Sequence, residues 1–344
     1  MHEDVTTAIP VLIDLRHDTP VPVSFIDAPV VLCLGNFDGV HRAHASLLHR
    51  TRTLRDEKLP QGLCGVFTFF HPSSDYLRDQ GASTTVPGRV TLRRPDLQRH
   101  LTTLKEKLRL FKEEGMDFVG LCDFKKICTL SPEAFLAFLT RRLDVRGVAC
   151  GYNFRFGAYG KGSADTLAAH FDHPTEGLYC VVVPPFCLDE EPVSSTRIRA
   201  LLTQGYAETA ARHLGHPYVL ERKVVKGKQL GRKLGFPTAN QYFLPESLVP
   251  AHGVYAVICH TPLGIFPGVA NVGEHPTVDK NAAVNCETHV IGPHQDLYGY
   301  PMRVEFLYRL RDEAKFPSVE ALTEAIAKDA ELAVKYVQAY LKSQ

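Results

Sequence analysis

The sequence predicts an α/β fold in two domains: a Rossmann-like parallel sheet, then a small antiparallel β-barrel or sandwich that ends in a helix. Three observations predict this fold. The chain has 344 residues, which is enough for two hydrophobic cores. Its first half alternates short apolar runs with helical patterns, as strand–helix–strand units do. Its second half carries apolar runs between Gly, Pro and Asn turns. We expect the domains at residues 1–204 and 205–344.

In the first half, strands and helices alternate along the chain. The strands are expected at residues 29–35, 63–70, 117–124, 145–151 and 177–186, and the helices at 41–58, 101–115 and 131–143. The first helix repeats Ala43, Leu47, Thr51 and Leu54 at helical spacing. Because such alternation implies a parallel sheet with helices on its faces, ligand-binding residues are expected just after the strands.

The second half begins with a short helix at 207–215 and continues as strands. These strands are expected at residues 217–225, 253–260, 264–272, 283–291 and 302–310. A last helix is expected from Val319, with Ser318 as its N-cap. Its apolar stripe, which should dock on the sheet, consists of Leu322, Ile326, Ala330, Ala333, Val337 and Leu341.

Composition and charge exclude several classes of protein. Lys and Arg total 39 against 38 Asp and Glu, so the net charge is +1 and does not indicate a protein that coats nucleic acid or an anionic membrane. No apolar stretch approaches the ~18 residues of a membrane span, and the acidic start lacks the pattern of a signal peptide. We therefore expect a folded protein without nucleic-acid or membrane partners.

The nine cysteines are scattered, odd in number and contain no CxxC pair. This usage is typical of reduced thiols in a cytoplasm. Most lie inside apolar runs, where a thiol behaves as a small hydrophobe, so we interpret them as core residues and propose no zinc site.

The segment GNFDGVHRAHASLL (35–48) follows the first strand directly and is the first candidate site. Gly35 and Gly39 allow a tight turn, and His41 and His44 are three residues apart at the start of a helix. The unpaired N–H groups of a helix N-terminus, together with two imidazoles, indicate a phosphate site. The alternative is that both histidines merely cap a surface helix.

The segment KGKQLGRKLGFPTANQYF (226–243) is the second candidate site. Its glycines would let the backbone approach phosphates, and Thr238 and Asn240 offer oxygen ligands for Mg²⁺. It lacks the GxxxxGK[ST] pattern of a P-loop. The alternative is a flexible basic hairpin.

Two further segments carry polar groups suited to a nucleotide. Ser195, Thr196 and Arg199 place two hydroxyls and a guanidinium at the start of a helix, an end suited to a leaving pyrophosphate. Asn153, in GYNFRFG, can donate to and accept from a nucleotide. The alternatives are an ordinary N-cap and a solvated helix charge.

GNFDGVHRAH resembles the GxFDGVHxGH signature of the bacterial bifunctional FAD synthetases. The blocks at 122–136, 151–167 and 193–202 resemble the later blocks of that family in the same order, and GRKLGFPTAN (231–240) resembles the flavokinase signature GRxLGFPTAN. GVANVGEHPT, CETHV and residues 296–316 resemble the closing blocks. The resemblance implies an FMN adenylyltransferase with a nucleotidyltransferase fold, followed by a β-barrel riboflavin kinase.

The resemblance also implies roles for individual residues. His41, His44 and Glu287 would be catalytic, the last as the base for the 5′ hydroxyl of riboflavin. Thr238 and Asn240 would bind Mg²⁺. ATP would be bound in the adenylyltransferase by Gly35, Asn36, Phe37, Asp38, Asn153, Ser195, Thr196 and Arg199, and in the kinase by Gly227, Gly231, Arg232, Gly235, Phe236 and Pro237.

Three departures from the family pattern leave alternatives open. Ala43 stands where the family has glycine, and His275 stands where it usually has arginine. The block at 68–77 is one residue shorter than the family's, so His71 and Pro72 have no secure alignment. The leading hypothesis is an enzyme that takes riboflavin, FMN and ATP and makes FAD. The alternatives are an enzyme with one active half, and a flavin-binding or sensing protein without turnover.

Overall fold

The structure is a computed structural model that describes residues 10–15, 28–69, 99–227, 230–273, 284–293 and 296–344. Residues 71, 72 and 275, noted above, lie outside the described ranges. The chain divides into two compact units, Met1–Arg94 with Thr102–Ser194, and Pro95–Leu101 with Ser195–Gln344. The predicted domain boundary at 204/205 stays a prediction.

The first unit is built on a six-stranded parallel sheet with strand order β1-β4-β3-β2-β5-β8. In chain order its elements are β1 (Val11–Asp14), β2 (Pro29–Leu34), α1 (Arg42–Lys58), β3 (Leu63–Phe69), α2 (Leu104–Glu113), β4 (Phe118–Cys122), α3 (Phe124–Ile127), α4 (Pro132–Thr140), β5 (Asp144–Gly151), β6 (Arg155–Phe156), β7 (Gly162–Ser163), α5 (Ala164–Phe171), β8 (Tyr179–Val183), β9 (Cys187–Leu188) and β10 (Glu191–Pro192). The predicted parallel α/β sheet is confirmed.

Alternation along β2 explains why helices cover both faces of this sheet. Val30, Leu32 and Leu34 belong to a core cluster that includes side chains of α4 and α5, whereas Cys33 belongs to a second cluster with side chains of α1 and α2. All residues from 30 to 34 are buried, as expected for a central parallel strand.

Short polar side chains cap the N-termini of α2 and α4 in the first unit. Thr103 accepts a hydrogen bond from the backbone N–H of Glu106 at the start of α2. Ser131 caps α4 in the same way, and Pro132 follows at the first helical position, where its missing N–H costs nothing. These caps set the start of each helix within the ranges that the sequence predicts.

The second unit is built on a six-stranded antiparallel sheet with strand order β11-β16-β13-β14-β15-β12. Its elements are α6 (Ser195–Thr203), α7 (Ala207–Leu214), β11 (Tyr218–Lys223), α8 (Leu230–Lys233), β12 (Thr238–Tyr242), β13 (Gly253–Thr261), β14 (Gly264–Gly273), β15 (Asn285–Val290), β16 (Pro301–Arg311) and α9 (Val319–Lys342). The segment 238–242, which the sequence analysis treats as part of a loop, is a strand.

A buried glutamine helps to close this sheet into a barrel. Gln241 on β12 is fully buried, and its Nε2 donates to the backbone oxygens of Arg222 and Met302, both at 2.7 Å. Beside it, the backbone N–H of Val225 donates to the oxygen of Asn240 at 2.9 Å. The two edge strands of the sheet therefore meet, and the expected β-barrel is confirmed over the sandwich.

Helix α9 docks on the barrel by the middle of its predicted stripe. Ala333 and Val337 are buried against β-strand side chains, and Ser318 caps the helix as predicted. Leu341 is 53% exposed, so its place in the docking stripe was predicted wrongly. Asp329, a charged residue outside the predicted stripe, is buried on the same helix. Its carboxylate accepts hydrogen bonds from the Arg311 guanidinium at 2.8 and 3.0 Å.

Candidate functional site

The first candidate site lies at the carboxyl end of β2. In the sheet, β3 lies on one side of β2, whereas β5 and then β8 lie on its other side. The connections that leave the neighbouring strands therefore run in opposite directions at this point of the sheet. Parallel sheets bind ligands in the crevice at such a point. Asn153 is exposed just after β5, the neighbour of β2, and therefore lies at the same edge of the sheet as Gly35.

The loop between β2 and α1 has an unusual backbone that Thr102 holds in place. Phe37 and Val40 have φ angles of 50° and 39°, which side-chain-bearing residues adopt at a cost in energy. Oδ1 of Asp38 accepts from the backbone N–H and the hydroxyl of Thr102 at 3.3 and 3.4 Å. Thr102 also accepts from the N–H of Gly39 at 3.0 Å. Asp38 is thus engaged in shaping the loop.

Phe37 anchors the loop in the hydrophobic core. Its ring is fully buried and packs edge-on to Phe111, with centroids 5.4 Å apart. On its other side it meets the His44 ring at 5.0 Å. The aromatic ring therefore supports His44. Because the ring is buried, only the backbone of Phe37 is available to contact a nucleotide.

His41 and His44 come together at the start of α1, as their spacing predicts. The two rings are stacked, with centroids 3.6 Å apart and planes inclined by 11°. His41 is the N-cap and accepts from the His44 backbone N–H at 3.4 Å. Burial holds the pKa of His44 well below its usual 6.5, and the neighbouring His41 and Lys107 lower the pKa further. His44 is therefore a neutral imidazole near pH 7 in the folded chain.

Lys107 is a charged group near this site that the motif analysis did not identify. It is 3% exposed, and its Nζ donates to the backbone oxygen of Asn36 at 2.9 Å. The Thr68 hydroxyl donates to the same oxygen at 3.2 Å. The available signal was a lysine on the apolar face of a helix, four residues before Phe111 and three after Leu104.

Two buried polar atoms in the first site have no hydrogen-bond partner in the part of the chain that the structure describes. Within the described ranges, no group pairs with Oδ1 of Asn36 or with Nδ1 of His44. Because unpaired buried polar atoms are rare, such atoms beside a helix N-terminus and a buried lysine fit a site that a polar, anionic ligand completes.

Ser195, Thr196 and Arg199 lie on α6, which belongs to the second unit. Ser195 is half-buried and Thr196 is exposed. Arg199 is buried, and its Nε donates to the backbone oxygen of Arg99 at 2.7 Å. Its guanidinium is thus partly engaged in holding another segment of the same unit. The predicted nucleotide contacts of these three residues stay predictions.

The second candidate site lies on one face of β12 and β15. Thr238 and Asn240 are two residues apart on β12, so their side chains lie on the same face. Asn240 pairs directly with Glu287 across the strands, and Thr238 pairs with His289. Oδ1 of Asn240 accepts from Nδ2 of Asn285 at 2.8 Å. The structure therefore brings together the hydroxyl, carboxamide and carboxylate that the sequence singles out.

The glycines of the preceding segment allow close approach to these groups. A Cβ on Gly227 would lie 2.5 Å from the Asn240 amide nitrogen, and a Cβ on Gly231 would lie 2.3 Å from the backbone oxygen of Phe236. Neither position can hold a larger residue without movement of the chain. Arg232 and Pro237 are exposed beside them.

Two cavities meet at Thr238 and His289. The first cavity, of about 430 Å³, includes Arg232, Gly235 and Pro237 in its lining. The second cavity, of about 270 Å³, includes Glu287. Its other lining residues are mainly apolar or aromatic, among them Phe236, Val254, Val269, Phe316, Leu322 and Ile326. Nδ1 of His289 lies 3.0 Å from the Pro237 oxygen, which fixes the ring between the two cavities.

The donor atoms of the second site suit a small hard cation. Within the described ranges, no group of three or more His, Cys, Asp or Glu side chains could hold a metal ion. Mg²⁺ does not need one, because it is commonly bound by one or two protein oxygens together with substrate phosphates and water. The hydroxyl of Thr238 and the carboxamide of Asn240, beside the Glu287 carboxylate, fit that requirement.

The cysteines form no disulfide, and six of the nine are buried. Burial raises the pKa of Cys64, Cys122, Cys150 and Cys286 to about 12, so these thiols are not nucleophiles at neutral pH. The core interpretation is confirmed for the buried thiols, but Cys187 is exposed.

No helix in the described part of the chain is both long and apolar enough to cross a membrane.

Two family models match this chain. The model for FAD synthetase matches residues 25–197, and the model for riboflavin kinase matches residues 214–337. The first match contains the paired histidines and the second contains Thr238, Asn240 and Glu287.

Known proteins resemble the chain over most of its length. A bifunctional riboflavin kinase/FMN adenylyltransferase of Escherichia coli K12 is 35% identical over 305 residues, which cover 87% of this chain and 90% of the relative. One of Bacillus subtilis is 30% identical over 312 residues, covering 90% and 93%. A crystal structure described as a macrolide-efflux protein from Streptococcus pneumoniae aligns with a TM-score of 0.79 at 28% identity, covering 94% of this chain and 98% of that one.

Proposed function

Because the chain belongs to the family of bifunctional riboflavin kinases/FMN adenylyltransferases, we propose that it makes FAD from riboflavin in two ATP-dependent steps. In the first step, riboflavin and ATP give FMN and ADP. In the second, FMN and a second ATP give FAD and pyrophosphate. The observation that carries this proposal is that each compact unit holds its own polar site, the paired histidines in one and the Asn240–Glu287 pair in the other.

We assign the adenylyl transfer to the site at the carboxyl end of β2. A phosphate oxygen of FMN attacks the α-phosphorus of ATP. The bond between this phosphorus and the oxygen that bridges it to the β-phosphate breaks, and pyrophosphate leaves. No covalent intermediate is needed. The work of the protein is to position the two substrates and to stabilise the charge that builds on the phosphoryl oxygens. His41, His44 and the N-terminus of α1 supply hydrogen-bond donors for that charge, and Lys107 adds positive charge behind them.

We assign the phosphorylation of riboflavin to the site on β12 and β15. Glu287 accepts the proton of the 5′ hydroxyl while the hydroxyl oxygen attacks the γ-phosphorus of ATP, and ADP leaves. Thr238 and Asn240 are the residues that would hold Mg²⁺. When bound, the ion neutralises charge on the ATP phosphates.

The two cavities suit the two substrates of this step. The cavity lined by Phe236, Phe316 and Ile326 offers flat apolar surfaces for a fused aromatic ring, and Glu287 in its wall is placed for a hydroxyl group of the same ligand. The cavity beside Gly235 includes the Arg232 guanidinium in its lining, a group suited to polyphosphate, together with the Asp296 carboxylate. We propose that they bind riboflavin and ATP respectively, with the reacting groups meeting near Thr238.

Separation of flavins by chromatography tests the proposal. Purified protein is incubated with riboflavin, ATP and Mg²⁺, and the products are resolved on a column with fluorescence detection. FAD is the expected final product. FMN alone would indicate an active kinase with an inactive first site, and unchanged riboflavin would favour a flavin-binding protein without turnover.

Domain limits, location and partners complete the proposal. We assign residues 1–204 to the adenylyltransferase and 205–344 to the kinase. Free thiols support a cytoplasmic location. ATP, riboflavin, FMN and FAD are the proposed ligands, with no nucleic-acid or membrane partner.

A further inference from the structure

Asn285 lies beside the two polar groups of the proposed kinase site and is almost fully buried. It is located on β15 two residues before Glu287, so the two side chains lie on the same face of the strand. Asn285 is 2% exposed and its neighbour Asn240 is 4% exposed. The sequence motifs indicate roles for Glu287 and Asn240 but none for Asn285.

One NH₂ group connects the two strands of this site. Nδ2 of Asn285 donates to Oδ1 of Asn240 at 2.8 Å and approaches Oε1 of Glu287 at 3.4 Å. A carboxamide can present either its oxygen or its NH₂ group to a neighbour, and a donor beside Oδ1 determines which end of Asn240 faces β15. The same donor attracts the Glu287 carboxylate. Asn285 therefore influences the orientation of both groups.

Among the described residues, none forms a hydrogen bond with the other end of the Asn285 carboxamide. Its Oδ1 is buried, and no donor within the described ranges reaches it. Packing alone does not require a polar residue that leaves an acceptor unpaired, because an apolar side chain of the same size would avoid this penalty. The unpaired oxygen thus points to a requirement for the NH₂ group itself.

We propose that Asn285 is a positioning residue for riboflavin phosphorylation, which aligns the Asn240 carboxamide and the Glu287 carboxylate. This inference rests on the proposed function of the same site. Asn285 acts through these two neighbours and does not contact the reacting atoms. Its loss therefore lowers the rate of phosphoryl transfer more than it weakens the binding of riboflavin.

Two variants of similar size remove the donor in different ways, and a third is a matched control. Asn285→Leu has no donor, and Asn285→Asp replaces the donor by an acceptor. Cys286→Ala removes a thiol from the same strand, where Cys286 is fully buried on the opposite face and lines neither of the two cavities. The measurements are kcat and KM for riboflavin phosphorylation, riboflavin affinity by fluorescence, and conversion of supplied FMN to FAD, all on the full chain.

Both Asn285 variants are expected to lose about 10- to 100-fold in kcat, the usual effect of removing a group that orients a ligand side chain. We expect KM and the dissociation constant for riboflavin to stay within about twofold, the split that marks a loss confined to the chemical step. FMN-to-FAD conversion should stay unchanged. The side-chain NH₂ signals of Asn240 in nuclear magnetic resonance, identified by their loss in Asn240→Ala, should move in Asn285→Leu and stay in place in Cys286→Ala.

Retention of kcat in Asn285→Leu, or an equal loss in Cys286→Ala, would overturn the positioning role and leave the proposed function intact. The same holds if the Asn285 variants act only by raising KM. A wild-type protein that makes no FMN from riboflavin and ATP would overturn the proposed function, and this inference with it.

Discussion

The imidazole of His41 covers the imidazole of His44, with ring centroids 3.6 Å apart. Two imidazolium cations repel each other at this distance, so the pair can stack only while at least one ring is neutral. Lys107, buried nearby, adds a second reason for neutrality. In the folded chain His44 therefore serves as a neutral hydrogen-bonding group, and a bound phosphate would make a charged ring favourable.

This arrangement makes stability depend on pH. Burial, followed by the influence of His41 and Lys107, lowers the pKa of His44 in the folded chain below the usual 6.5. The unfolded chain then binds a proton more readily, so the stabilisation is fully present above pH 6.5 and falls as the pH drops below it. The loss is at most about 1.4 kcal/mol per pH unit. Urea unfolding at pH 7.5 and 5.5 should show a smaller decline in His44→Gln than in wild type.

His44→Ala is expected to stop the pathway at FMN. Removing one donor from a site that stabilises phosphoryl charge costs roughly 100-fold or more in rate. Phosphorylation of riboflavin should continue, because Glu287 lies in the other unit. Product analysis by chromatography measures both steps. His49→Ala, an exposed histidine on the same helix, is the control and should keep both activities.

Glu287→Ala is expected to do the reverse. Loss of the base should reduce FMN formation by about 100- to 10,000-fold, whereas FAD synthesis from supplied FMN continues. Glu324→Ala, an exposed carboxylate on α9, is the matched control. If Glu287→Ala abolished both steps in a folded protein, the assignment of two independent sites would be wrong.

Lys107→Met should weaken the adenylyl site while keeping most of the buried side-chain volume. Without the ammonium group, the pKa of His44 should rise, because one of the influences that lower it is gone. The Asn36 oxygen would keep only the Thr68 hydroxyl as a donor among the contacts described above. Histidine titration by nuclear magnetic resonance should show the pKa change, and FAD formation should slow by about tenfold. Lys112→Met, exposed on the same helix, should change neither.

Gln241→Leu should destabilise the barrel. The substitution leaves the backbone oxygens of Arg222 and Met302 without the donor that Nε2 supplies to each at 2.7 Å. We expect a loss of about 2 kcal/mol or more, measured by urea unfolding of the second unit. Gln204→Leu, at an exposed position after α6, should have little effect. Equal stability of Gln241→Leu and wild type would mean that this amide does not hold the edge strands together.

Hydrophobic periodicity was sufficient to predict most of the fold, since β2 is apolar throughout and α9 repeats its stripe at helical spacing. It could not predict β12. Thr238 and Asn240 face the site, and Gln241 is buried for its hydrogen bonds rather than for hydrophobicity, so the segment looks like a polar loop. Leu341 fits the stripe in period, but it lies at the far end of the helix, where it is left largely exposed.

Motifs indicated the reacting groups of the candidate sites but not the residues that support them. The stacking of His41 and His44 follows from their spacing on one helix. Thr102, Lys107 and Asn285 have no such local signature. Each reaches its partner through the tertiary fold, with Lys107 separated from Asn36 by 71 positions in the chain. A short sequence motif carries no information about two residues that are distant in the chain and meet only in the folded protein.

The segment from Arg99 to Leu101 belongs to the second unit, although Thr102–Ser194, which follows it directly in the chain, belongs to the first. His100 exchanges backbone hydrogen bonds at 2.8 Å with Glu246 and Leu248, and Arg99 accepts from Arg199. No single cut in the polypeptide can therefore release both halves intact. A recombinant kinase fragment that starts after residue 101 lacks the segment from Arg99 to Leu101. Gene fission or domain shuffling would have to replace the hydrogen bonds that this segment makes.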